Sequence, residues 1–94
     1  MFIEKDDFVH TLLTSSNFTC EVTGYCGAMD AIFQVGKVVK SIENPNVIQT
    51  DDECFEKTGV YFSLDISKIK SVEKCHKTFY VTFQFAGQEM IFHI

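Results

Sequence analysis

The sequence predicts an α+β domain with one N-terminal helix packed on a mostly antiparallel sheet of five or six strands. Three observations carry this. Ten of the 94 residues are Phe and only one is Pro, a balance that favours strands. Residues 78–94, "TFYVTFQFAGQEMIFHI", alternate apolar and polar around a glycine, the pattern of a β-hairpin. Residues 4–16, "EKDDFVHTLLTSS", instead place Phe8, Val9, Leu12 and Leu13 on one helical face. At this length the chain is a single domain, 1–94, able to bury a thin core.

The elements follow in order. Asp6 or Asp7 caps or charges the start of the helix, and the polar run Thr14–Asn17 ends it. Residues 17–23 set Phe18, Cys20 and Val22 against Thr19, Glu21 and Thr23, a half-buried strand. Residues 24–30, "GYCGAMD", hold two glycines and read as a turn. Residues 31–43 fit a helical face through Ile32, Val35, Val39 and Ile42, but β-branching and the central Gly36 favour a strand bent at the glycine. A turn at "NPN" leads to a short edge strand from Val47-Ile48. Residues 50–59 read as a charged loop and 60–65 as a strand. The segment after Asp65 forms either a single helical turn or a further strand through Val72.

In the closing hairpin Phe79, Val81, Phe83 and Phe85 share one face with Met90, Phe92 and Ile94 when the loop holds two or four residues. A three-residue loop would turn one core face outward. The reverse face carries Tyr80, Thr82, Gln84, Ile91 and His93. With a two-residue loop, Tyr80 lies directly opposite His93.

Thirteen acids face eight bases, giving a net charge of −5, and every base is Lys. Arg supplies the usual fork for phosphate and base edges, so direct nucleic-acid binding is not expected. The opening "MFIEKDDFVH" has no signal-peptide core, and no run approaches the ~20 apolar residues of a membrane span. A cytoplasmic protein with reduced thiols and no membrane contact is expected.

No hydrolase, phosphate-loop or metalloprotease signature occurs, and the expectation is a binding protein rather than an enzyme. Cys20, Cys26, Cys54 and Cys75 lack C-x-x-C spacing. A zinc site from Cys26, Cys54, Cys75 and His76 is conceivable but weaker than a reading as plain thiols. His93 and Tyr80 are the candidate ligand-binding pair, because imidazole and phenolate are both known haem-iron ligands.

Residues 64–74, "LDISKIKSVEK", followed by 79–94, "FYVTFQFAGQEMIFHI", resemble the sheet core of bacterial haem-utilisation carrier proteins. In that family a strand ends in Leu-Asp, an I-x-x-I-x-x-V stretch follows, and two strands of the type S-I-Q-F-F…G-x-x-M-F-K-I close the sheet. Leu64-Asp65, Ile69, Val72, Val81, Phe83, Phe85, Gly87, Met90, Phe92 and Ile94 match in kind and rough spacing. The match covers the C-terminal third. "KCHKT" (74–78) replaces the family's longer Arg- and Gly-containing loop, and His93 stands where the family usually has Lys, so no ligand histidine carries over. The resemblance implies haem as cofactor, haem binding or trafficking in iron utilisation, and a dimer of sheets.

The competing expectation is an acidic protein-interaction module or inhibitor. Glu43, Asp51, Asp52, Glu53 and Glu56 form a run of five acids without a base. Asp51, Asp52, Glu53 and Glu56 are the candidate partner-binding residues, set to occupy a basic groove of a nucleic-acid-handling partner. Phage-encoded inhibitors are one such type. Sheet edges that a single helix cannot cover make a homodimer the expected assembly.

Overall fold

Helix α1 (Lys5–Thr14) forms where the apolar spacing places it and buries Phe8, Val9 and Leu12. Glu4 occupies its N-cap without a side-chain hydrogen bond, while Asp6 and Asp7 sit in the first turn, where they complement the helix dipole. At the other end, hydroxyls fold back on the backbone: Thr14 Oγ1 donates to the His10 carbonyl at 2.9 Å and Ser15 Oγ to that of Thr11 at 2.7 Å. Such local bonds compete with the helix ladder and favour its end here. The computed structural model describes residues 1–22, 31–84 and 89–94. The turn expected at 24–30 lies outside the described residues, as do Phe85 and Gly87 of the closing hairpin.

A two-residue strand, β1 (Phe2–Ile3), precedes α1. After it come β2 (Phe18–Val22), β3 (Ala31–Val35), β4 (Val38–Lys40), β5 (Val47–Thr50), helix α2 (Asp52–Thr58) and β6 (Ser63–Asp65). A 3-10 turn (Ile66–Lys68) leads into β7 (Ile69–Cys75), β8 (Thr78–Phe83) and β9 (Glu89–His93). The strands form a six-stranded sheet, ordered β1-β7-β8-β9-β2-β3, and a three-stranded sheet, β4-β5-β6. Every pairing is antiparallel. The α+β class holds, with a small second sheet and a second helix added to the expected scheme. Among the described residues no helix is long and apolar enough to cross a membrane.

The segment 31–43 is extended and breaks at Gly36, as its sequence suggests. β3 ends one residue before the glycine and β4 begins in the other sheet. The break needs glycine because a Cβ there would overlap Cys54 Sγ on α2. Val47-Ile48 opens β5, which runs down the middle of its sheet rather than along an edge. The stretch expected as a charged loop is α2. It ends at Gly59, whose φ of 72° suits the left-handed C-cap, with the Gly59 N–H donating to the Phe55 carbonyl at 2.8 Å. Both alternatives after Asp65 are realised in turn. Asp65 Oδ1 accepts from Ser67 Oγ at 2.6 Å and from Ser67 N at 3.0 Å to cap the 3-10 turn. The Ser67 hydroxyl bond leads in holding this carboxyl below its ordinary range.

The hairpin register differs from both permitted ones. Val81 opposes Met90 and Phe79 opposes Phe92, two residues away from the two-residue-loop register, so the faces still match. At the end of β8, Gln84 bonds to the 3-10 segment. Its N–H donates to the Lys68 carbonyl at 2.9 Å and its Nε2 to that of Ser67 at 3.2 Å.

One face of the large sheet meets α1 and the small sheet. The core there joins Phe8, Val9 and Leu12 to Phe18, Cys20, Val35, Val38, Ile48, Leu64, Ile69, Val72, Phe79, Val81, Phe83 and Phe92. Phe92 is the hub of its aromatic cluster, with ring centroids 5.1 Å from Phe8, 5.7 Å from Phe18 and 6.1 Å from Phe62.

Candidate functional site

The expected pair, Tyr80 and His93, lies on the opposite, open face of the large sheet. The observed register sets Tyr80 across from Ile91, not His93. His93 instead sits between Thr78 of β8 and Thr19 of β2. Both of its ring nitrogens have neighbours: Nδ1 is 3.4 Å from Thr78 Oγ1, and Nε2 is 3.6 Å from Glu21 Oε2. Neither His93 nor Tyr80 lines a described cleft. The pair is therefore diagonal on an open surface, and the cross-strand juxtaposition expected from a two-residue loop does not form.

The acidic residues gather on one short ridge. Asp51 is the N-cap of α2, Asp52 and Glu53 fill its first turn, and Glu56 follows one turn on. None of the helix's residues is buried. Seven residues are too few to hold a helix alone. Tertiary contacts pin it: Cys54 packs against Gly36, and the Phe55 ring meets Tyr61 edge-on at 5.9 Å and 88°. The chain carrying Tyr61 is itself fixed by Thr50, the one buried polar side chain among the described residues. Phe62 N–H donates to Thr50 Oγ1 at 2.7 Å, and Thr50 N–H donates to the Phe62 carbonyl at 2.9 Å. Phe55 and Tyr61 remain 43% and 57% exposed beside the acids.

Next to this ridge opens an apolar cleft of about 230 Å³. Its walls include Phe33, Val35, Val60, Tyr61 and Met90. Cys20 lies at its inner side, and burial pushes the pKa of this thiol up to about 12, so it behaves as a neutral hydrophobe. The conceived zinc set does not assemble. Among the described residues no three His, Cys, Asp or Glu side chains are placed to hold a metal ion, and Cys26 lies outside them. Cys75 closes β7 and His76 turns the chain with a φ of 58°, lining a shallower cleft with Lys74, Lys77 and Phe79.

The aromatic pair and the cleft escape a reading by periodicity, because both are built across sequence gaps. One signal is present in the sequence: Cys54 and Phe55 are apolar residues inside an acidic run, which a solvated loop would not need. No family model matches the chain, and neither the curated proteins nor the solved structures provide a match.

Proposed function

We propose that the protein is a non-enzymatic interaction domain that presents the α2 ridge to a basic protein partner. The exposed Phe55–Tyr61 pair set among Asp51, Asp52, Glu53 and Glu56 is the observation that supports this. Aromatic anchors supply contact area at the centre of an interface, and surrounding charges steer the encounter and fix its register. Lys or Arg side chains of a partner gain both the carboxylates and the ring faces. The helix contributes no buried residue to the core, and the Phe55 ring that pins it stays 43% exposed. An inhibitor that fills a basic nucleic-acid-binding groove, the phage type included, is one form of this activity.

The test is a complex recovered from host extract and then reconstituted with the purified partner. The variant is Asp51→Asn, Asp52→Asn, Glu53→Gln and Glu56→Gln, which removes the four charges while keeping each side chain's shape. Its circular-dichroism spectrum is checked first, because two of these acids also support the first turn of α2. Binding is expected to weaken about tenfold or more at low salt, with the difference shrinking at high salt. Unchanged affinity in that variant would sink the proposal.

Haem binding through His93 and Tyr80 has less support, because the pair sits outside the described clefts and His93 already has polar neighbours. A haemin titration separates the readings. The interaction proposal expects the same Soret band from the wild-type chain and from a His93→Ala, Tyr80→Phe variant. A band that depends on those two residues would favour haem.

A further inference from the structure

Sheet edges are exposed templates for pairing, and proteins commonly blunt them with short strands or charge. Among the described residues, three of the four sheet edges are blunted. β1 has two residues. β4 has three and ends in Lys40, and β6 has three and ends in Asp65. β3 is different. Its five residues, Ala-Ile-Phe-Gln-Val, carry no charge and no proline, and its register with β2 is unbroken. Among the described residues no strand pairs with its far side. Ile32 on one face and Phe33 on the other are 68% and 47% exposed.

We propose that β3 pairs antiparallel with β3 of a second copy, about a two-fold axis at Phe33, joining two large sheets into one. That register pairs all five residues while keeping the faces matched. Phe33 stands opposite its own counterpart, Ile32 opposite Gln34, and Ala31 opposite Val35. The composition selects a second copy over a charged segment, because β3 offers no charge for one to complement. β3 itself carries none of the net charge of −5; the densest acidic run sits on α2, beside the cleft, so pairing should tighten as salt screens the two ridges. Two-fold symmetry is also the commonest way for identical chains to close. On the core side, Phe33 and Val35 line the apolar cleft, and this register sets the second copy's Phe33 beside that wall. The proposal rests on the β3 edge, not on the acids of α2, and its test reads chain mass rather than partner binding.

Sedimentation velocity on the full chain across a concentration series is expected to give twice the chain mass. Hydrogen exchange should show β3 amides gaining protection as the dimer forms. Phe33→Lys, at an exposed position, should return one chain mass and raise β3 exchange about tenfold or more, with the circular-dichroism spectrum unchanged. Ile32→Lys tests the same edge from the open face, away from the cleft, should Phe33→Lys disturb folding. A single chain mass throughout overturns the proposal. So does a dimer that survives both substitutions, or an assembly that grows without closing.

Discussion

Phe92 and His93 are neighbours on β9, yet one is fully buried and the other exposed. They stand for the two faces of the large sheet. On the inner face a row runs Phe79–Phe92–Cys20–Phe33 across four strands. On the outer face a row runs Phe2–Glu73–Tyr80–Ile91–Glu21–Ile32 across all six. Both rows carry large apolar groups. What separates them is cover: α1 and the small sheet lie over the first, and among the described residues no element lies over the second. Alternation assigns residues to faces, but cover decides which face acquires a close-packed interior.

The largest test of this difference is Phe92→Ala. Deleting a ring that touches Phe8, Phe18 and Phe62 removes its transfer energy and leaves a cavity among side chains already packed. The cost should be about 3–5 kcal/mol in a denaturant titration, with the slope unchanged. A cost below about 1 kcal/mol would mean that the inner face is loosely packed and the contrast between faces is only one of accessibility.

A smaller effect sharpens how the cover is attached. Gly36→Ala would place a methyl group onto Cys54 Sγ, and an over-packed contact of this kind costs about 1–3 kcal/mol. The same methyl would lie 3.7 Å from Cys54 Cβ, an ordinary contact. Cys54→Ala should therefore rescue Gly36→Ala, and the double variant should be more stable than the sum of the single changes predicts. Additive losses would show that the cost at Gly36 does not arise from the approach of Cys54.

Much of this architecture is legible in the sequence. α1, the two-faced strands, the break at Gly36 and the inner face of the hairpin all follow from local periodicity. The hairpin register does not, because alternation permits every loop length that keeps the faces matched and does not choose among them. The helix at α2 is hidden for a different reason. Its acids look like a solvated loop, and it is held by Gly36 and Tyr61, which lie outside the helix itself. The acidic residues are visible as a run, but their aromatic centre emerges only when Phe55 and Tyr61 come together. Tyr80 and His93 show the converse: the alternation gives their shared face correctly, while their separation along it depends on the register.

His93→Ala gives the smallest expected effect and the most direct comparison with Phe92. The ring approaches Glu21 at 3.6 Å and Thr78 at 3.4 Å, both long, on a surface open to water. Long polar contacts at an open surface contribute little, since water satisfies the separated groups almost as well. The loss should stay within about 0.5 kcal/mol, several-fold below that at the preceding residue. Chemical denaturation of both variants under one condition checks the ratio. A loss at His93 that approached the Phe92 value would require the outer face to be covered in solution. The pairing proposed through β3 adds a strand beside this face without lying over it, so it leaves His93 exposed. A large effect there would therefore point to a different contact, one that seals the row from Phe2 to Ile32.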